Sequence, residues 1–430
     1  GNYPFAERSR IIFNHQSHFE EHFEKSGEAG KTAASCLTCH AVDERGERVG
    51  IRPFSRSCAQ CHEDEVHTND PEGARIPIVR VPFLDIDTLE SEEKAVGAWP
   101  DDWDSLETTF SPATLLLLSA STPKETLEAF WQTDVDVLED ADLVQTSQLL
   151  WSFKELLGGL RTNGVTEITQ RLSAALDRPL TATEQTELER AFPRQAIEEL
   201  VDAWFPDVMA ELSQHALGEA PIAGFMEEME DRLNFDTMPL SHGWIRSDVD
   251  FTLYYQPTRH EDTFLKLLLE ASLKHETLGR PLYLEIAGHA NAPKAGRCTK
   301  CHSESTGPEK GLHWTAKRYN STNRPFTRFS HVAHFRNIGM LDNNGCYSCH
   351  ALNKRENSKT FLESFHYFND QPSANFIGNF SAIKKETCAE CHAPRHAGEN
   401  CLMCHNYHVG KFPTALQHSD LMRSIIIQSK

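Results

Sequence analysis

The 430-residue chain has no cysteine outside one five-residue pattern, no long apolar run and no basic tract. Each absence excludes something. The longest apolar cluster, around Leu115 to Leu118, is far shorter than the roughly 20 residues that cross a bilayer as a helix. No membrane span is expected. A formal net charge of −21 without any run of Lys or Arg is a poor match to nucleic acid. There is no Gly-rich phosphate loop, no nucleophile elbow and no paired-carboxylate motif, so no catalytic residue is named. The residues from Gly1 onward form neither the charged nor the apolar region of a secretory leader. The chain is therefore expected to be a mature form whose signal peptide has been removed.

What is present is a repeat. All twelve cysteines lie in six copies of Cys-x-x-Cys-His, at Cys36/Cys39/His40, Cys58/Cys61/His62, Cys298/Cys301/His302, Cys346/Cys349/His350, Cys388/Cys391/His392 and Cys401/Cys404/His405. Two thiols three positions apart share one side of a helical turn, where both reach the vinyl groups of one porphyrin. The histidine that follows presents its imidazole to the iron as proximal ligand. Disulfides or zinc sites need no histidine after each second cysteine. Six repetitions of that residue set both aside, and six covalently bound haem c groups are expected. Haem is joined to such apoproteins outside the cytoplasm, so the location is expected to be periplasmic, cell-surface or extracellular.

The motifs divide the chain unevenly, and charge follows the same division. Residues 1–74 carry a balance of −5, residues 75–290 one of −24, and residues 291–430 one of +8. The acidic middle reads as a solvated surface. The basic end reads as a partner for the propionates of four haems. Three parts are expected: a dihaem module over 1–75, a helical cysteine-free insert over 76–245 and a tetrahaem module over 246–430.

In the middle, Leu143, Leu150, Phe153, Leu157 and Leu160 share one helical face over 141–160. The same period recurs over 194–217, with Pro206 expected to kink that helix. Shorter helices are expected near 123–131, 166–176, 183–192 and 261–273, and a more strand-like stretch near Asp250–Pro257. The fold class is thus mainly α, with cytochrome modules of little regular structure flanking an all-α insert. In the modules, Phe326, Phe329, Phe335, Phe361, Phe365, Phe368, Phe376 and Phe380 are expected on haem faces and edges.

Sixteen histidines lie outside the motifs. They matter because a haem with imidazole on both faces passes electrons, whereas one with an open face binds substrate. Two strings stand out: Phe13-Asn-His15-Gln-Ser-His18-Phe19 and Phe329-Ser-His331-Val-Ala-His334-Phe335. Followed by Cys-x-x-Cys-His, this repeat resembles the class III multihaem cytochromes and the small trihaem cytochromes. The resemblance covers the two ends of the chain. It implies that the two histidines of each turn serve two different haems: His15 and His18 those of Cys36 and Cys58, His331 and His334 those of Cys346 and Cys388. The run Cys401-Leu-Met-Cys404-His405-Asn-Tyr-His408 also looks like the C-terminal end of larger multihaem cytochromes. For the haems of Cys298 and Cys401 the distal candidates are His408 and His260, with His366 and His313 next, then His289 and His396. His22, His67, His215, His242, His275 and His418 read as structural.

The expected function is electron transfer by hopping between closely packed haems, with redox proteins or extracellular acceptors as partners. Self-association, up to an extracellular filament, is an expectation beside a monomer. The alternative is a multihaem reductase of a small nitrogen or sulfur oxyanion with one open-site haem.

Overall fold

The structure is a computed structural model that describes residues 10–23, 36–44, 46–66, 75–82, 89, 94–100, 109–127, 140–219, 233–234, 236–287, 298–305, 311–316, 329–335, 343–352, 380–381 and 383–405. These residues are mainly α-helical. They fall into two compact units. One joins 1–61 to 301–430, and the other is 62–300. The sequence reading drew three consecutive parts instead. The difference comes from strand pairing: Ile76–Arg80 is hydrogen-bonded to Thr252–Tyr255, so residues beyond 245 belong with the 62–300 unit, whose one cysteine is Cys298. The two chain ends fold together because the segment from Arg10 to Ile12 runs beside Cys301 to Ser303, with Ile12 N–H donating to the Cys301 carbonyl (2.7 Å).

The 62–300 unit is not all-α. It contains a four-stranded antiparallel sheet in the order Ile76–Arg80, Thr252–Tyr255, Trp244–Ser247, Thr237–Ser241. Ile76 to Val79 are buried at four successive positions. Such a run lacks the alternation that marks a half-exposed strand, so periodicity alone does not reveal it. The turn between Ser241 and Trp244 has positive φ at both His242 (49°) and Gly243 (86°), the geometry of a tight two-residue hairpin. A Cβ on Gly243 would collide with the Gln256 carbonyl oxygen, which leaves glycine as the residue that fits.

The first strand lies at the edge of this sheet, and the Pro112–Leu118 helix covers it. Ser111 caps that helix through Thr114 N–H (3.1 Å) and also donates to the Pro77 carbonyl (2.7 Å). The Thr114 hydroxyl donates to the Ile78 carbonyl (3.1 Å) and accepts from Arg80 N–H (3.0 Å). Side chains thus occupy hydrogen-bonding positions that another strand would otherwise take.

The helices Asp140–Asn163, Val165–Leu176 and Ala182–Ala191 stand close to the expected places. The expected helix over 194–217 is two helices, Arg194–Trp204 and Val208–Leu217. Pro206 supplies no N–H and holds Phe205 out of helical conformation, so the chain breaks there instead of kinking. Two further helices, Thr263–Ser272 and Glu276–Ala287, complete the unit.

Its core is dense. Trp204, Phe110, Phe153, Phe205 and Phe251 are fully buried. Lys154 is buried among them, donating to Glu211 Oε2 (2.6 Å) and to the Ala98 carbonyl (2.9 Å). Its ammonium also lies 5.5–5.9 Å from the ring centroids of Trp151, Phe205 and Trp99. Asp248 is a second buried charge. It accepts from Arg246, from Trp204 Nε1 (2.7 Å) and from Asn234 N–H (3.1 Å).

The motif-bearing unit is built otherwise. It holds a short hairpin, His40–Val42 with Val49–Ile51, a two-residue pairing of Glu304–Ser305 with Gly311–Leu312, and helices of four to eight residues. Among its described residues, Leu312 is the one apolar side chain that is buried. The His331–Phe335 helix rests on the hairpin turn, with Val332 N–H donating to the Gly46 carbonyl (3.2 Å). Gly46 has φ of 70° and packs against Val332 where a Cβ would not fit.

Candidate functional site

Every motif is, or adjoins, one helical turn. Cys36–Cys39, Cys298–Cys301 and Cys401–Cys404 are four-residue helices. Cys58 ends one short helix and Cys61 lies in the next, while Cys346 and Cys388 lie near the ends of theirs. The histidine N–H closes the turn onto the first cysteine carbonyl at His350 (2.9 Å), His392 (2.8 Å) and His405 (2.9 Å). The paired thiols and the imidazole are therefore presented by one rigid loop. Arg52 braces the first motif, its Nε donating to the carbonyls of Leu37 (3.1 Å) and His40 (3.2 Å).

All twelve cysteines are unbridged, and none is buried. A free cysteine with only a packing role is normally among the most buried residues. The thiols also approach one another across motifs. Cys36 lies within hydrogen-bond reach of Cys346, and its pKa is pushed up to about 11 by burial first and by Cys346 second. Cys39 is pushed up by burial and then by Cys58, with Cys61 contributing less. Cys349 is pushed up by burial, then by Cys388 and Cys391.

The imidazoles are oriented by backbone carbonyls. His40 Nδ1 meets the Gly50 carbonyl (3.3 Å), His302 that of His313 (2.8 Å), and His392 that of Gly398 (3.1 Å). Outside the motifs, His18 Nδ1 meets the Asn14 carbonyl, His331 that of Glu47, and His334 that of Ser330, each at 2.8 Å. A carbonyl only accepts, so Nδ1 carries the proton in each, and Nε2 keeps its lone pair for a metal.

Two pairs of imidazoles face each other. His15 and His40 have ring centroids 6.2 Å apart with planes 9° from parallel. His334 and His392 are 6.1 Å apart at 52°. These separations exceed stacking contact. Two imidazole nitrogens each about 2.1 Å from a shared metal, with half a ring beyond each, put the centroids roughly 6 Å apart. His15 is pushed down to about 4, by burial first and then by His40 and His18, so it is neutral at pH 7, the form that ligates. His350 is pushed down by burial, then by its neighbours His331 and His40. His302 is pushed down by burial.

The two His-x-x-His strings share one geometry. Phe13 meets His15 edge-on (4.7 Å, 80°) and stacks on His18 (4.0 Å, 28°). Phe329 meets His331 edge-on (4.8 Å, 83°) and stacks on His334 (4.5 Å, 19°). Phe13 and Phe329, the first residues of the two strings, thus pack on the imidazoles of their own turns. Phe326, Phe361, Phe365, Phe368 and Phe376 lie outside the described residues.

Other expected ligands are placed less tightly. His62 is half-buried in the Ala59–Val66 helix, and His405 is exposed at the end of the sixth motif. His260 is half-buried in the turn before the Thr263–Ser272 helix, whose cap is Asp262. His313 pairs with the Ser303 hydroxyl (2.9 Å) and lends its carbonyl to His302. His396 is exposed. His408, His366 and His289 lie outside the described residues. Of the histidines read as structural, His215 stacks on Trp151 (3.9 Å) and His275 Nε2 meets the Ala175 carbonyl (3.2 Å). Sequence reasoning missed Arg52 and the carbonyls that fix each imidazole. Any residue supplies a carbonyl, so no side-chain signal marks them.

Comparison of the chain with known protein families, with characterised proteins and with solved structures finds no match. The reading of the site therefore rests on its own geometry. Two imidazoles a metal's width apart, a thiol pair on the turn that presents one of them, and a locked Nδ1–H together fit a covalently held haem with two axial histidines.

Proposed function

We propose that the chain is a hexahaem c-type cytochrome that passes electrons outside the cytoplasm and has no substrate site of its own. The observation that carries this reading is the pairing of His15 with His40 and of His334 with His392 at about 6 Å. In each pair one partner is the histidine of a Cys-x-x-Cys-His motif and the other belongs to a His-x-x-His turn. A haem bound between such a pair supplies a one-electron ferric/ferrous couple. The protein's part is positional. The motif thiols would hold the group covalently, the motif histidine and its opposite number would ligate its iron, and the carbonyls at Gly50, Ser330 and Gly398 hold the imidazoles in the ligating tautomer. With both faces closed, the haems of Cys36 and Cys388 would offer no position for an oxyanion.

By the same reading the six motif histidines are proximal ligands, and His18 and His331 are distal ligands of the Cys58 and Cys346 haems. Redox proteins or extracellular acceptors are the proposed partners. Self-association into an oligomer or filament belongs to the proposal as well. Sedimentation and electron microscopy of native material test it, and single-chain particles at low and moderate salt would rule it out.

The decisive measurement is a pyridine haemochrome assay with intact mass on denatured protein, expected to give six thioether-linked haems. His15→Ala and His334→Ala should each then create one high-spin haem, at the Cys36 and Cys388 motifs respectively. Haem extractable by acid-acetone would sink the proposal. A high-spin signal or carbon monoxide binding in the untreated reduced protein would favour the reductase.

A further inference from the structure

We infer that four of the haem sites form one row in the order Cys58, Cys36, Cys346, Cys388, so that the N-terminal pair leads directly into the C-terminal pair. This rests on the haem reading above and goes beyond it, because sequence order places the Cys298 site between Cys58 and Cys346.

Three joints define the row. At the first, Cys39 Sγ lies 3.9 Å from the Ser57 carbonyl, and the Ser57 hydroxyl lies 3.3 Å from Cys58 Sγ. A cleft of about 180 Å³ opens there, lined by Cys39, Cys61, Ser57 and Phe23. At the second joint, the Cys36 thiol has Cys346 as its nearest charged influence. A thioether sulfur sits directly on the porphyrin periphery, so neighbouring attachment sulfurs bring two ring edges together. Phe380 packs at this joint, its ring 4.8 Å from His15 and 6.0 Å from His350, the histidines assigned to the two haems that meet there. The backbone fastens the same joint, because His331 Nδ1 donates to the Glu47 carbonyl, just beyond the first motif. At the third joint, one helical turn carries both His331 and His334. His334 faces His392, and His331 adjoins His350. Cys349 stands beside Cys388 and Cys391.

Side chains a helical turn apart project to one side of the helix but at different heights. A single short helix therefore ties the third and fourth members of the row at a fixed spacing. The hairpin turn at Gly46 and Glu47 ties that helix to the first motif. The row is held by backbone contacts as well as by the groups it carries.

The test is iron-edge anomalous diffraction from crystals of the holoprotein, with each iron assigned to a motif through its thioether bonds. The expected result is that the nearest irons to the Cys36 site are those of Cys58 and Cys346, and that the Cys388 iron follows Cys346. An iron of Cys298 or Cys401 lying between two of these four would overturn the order and leave the haem reading intact. A folded chain without iron peaks would instead defeat the haem reading itself. In solution, Phe380→Ala should shift the paramagnetic haem-methyl resonances of the Cys36 and Cys346 haems. Shifts confined to the Cys298 or Cys401 haems would place Phe380 elsewhere and overturn the second joint.

Discussion

The two units solve the problem of cohesion differently. Residues 62–300 bury large apolar side chains on helices and a sheet, including Trp204, Phe153, Phe205 and Phe251. The other unit, made of both chain ends, buries one apolar side chain, Leu312, among its described residues. At roughly 25 cal/mol per Å² of buried apolar surface, the first has a driving force of its own, whereas the described residues of the second contribute almost none. The lesson is that the described part of the motif-bearing unit is held by backbone contacts more than by an apolar core, as the proposed haem reading requires: its short turns, hairpin and locked imidazoles would be brackets for a larger group.

That contrast is open to attack at several levels. The largest effect is expected from separating the units. Residues 62–300 made alone in the cytoplasm should fold and melt cooperatively with a helical circular dichroism spectrum. Residues 76–245 should not, because they lack the Thr252–Tyr255 strand that joins two others and both helices beyond it. A cooperative melt from the shorter segment would erase the boundary drawn here. The full chain made without haem attachment should show the melt of the 62–300 unit and no second transition.

Next comes the charge inside the core. Lys154→Ala leaves Glu211 buried without its cation and should cost about 3–5 kcal/mol, much of a typical domain's stability. Lys154→Met with Glu211→Leu should recover part of that loss, the remainder reflecting Ala98 N–H, which now donates to Glu211 (2.6 Å). Denaturant midpoints of the two variants decide it. Equal losses would mean that the pair itself stabilises the core, beyond the cost of leaving one charge alone.

The smallest effect is a pH dependence. Arg178 hydrogen-bonds Glu184 and holds its carboxyl down to about 2, with Thr181 N–H adding to the effect. A carboxyl depressed on folding stabilises fully above its ordinary value near 4.5 and loses that contribution as pH falls toward 2. Glu184→Gln should therefore melt lower than the parent above pH 4.5, with the gap closing as pH falls toward 2. A gap that stays constant down to pH 2 would assign the effect to the Thr181 cap and not to the charge.

How far the sequence reached differs between the units. The six motifs and both His-x-x-His strings were legible because their chemistry demands fixed residue types at fixed spacing. The structure then brings His15 to His40 and His334 to His392. In the 62–300 unit the longer helices were legible from the 3.6-residue period. Of the sheet, the strand Thr252–Tyr255 was legible as the strand-like stretch at 250–257, but the first strand was not, since one buried at every position from Ile76 to Val79 has no period to read. The break at Phe205 was half legible: Pro206 marks an interruption, but whether helices kink or part depends on what each half packs against. The interleaving of the two ends was invisible, because it rests on backbone hydrogen bonds such as Ile12 to Cys301 and Val332 to Gly46.

That interleaving sets a timetable. The hairpin turn at Gly46 and Glu47 is made early in synthesis, but its partner, the His331–Phe335 helix, comes nearly three hundred residues later. At about 5–20 residues per second the first strand pair waits on the order of 15–60 s for the segment that completes it. Throughout that interval four thiols, at Cys36, Cys39, Cys58 and Cys61, stand on a half-built platform. Residues 62–297 are made in the same interval and carry no cysteine, so nearly all of the 62–300 unit is made before a further thiol, that of Cys298, joins the waiting pairs. A rearranged gene that encodes 298–430 ahead of 1–297 would keep the third motif whole and let the hairpin find its partner already made, and the yield of intact protein under oxidising conditions would measure what the waiting costs.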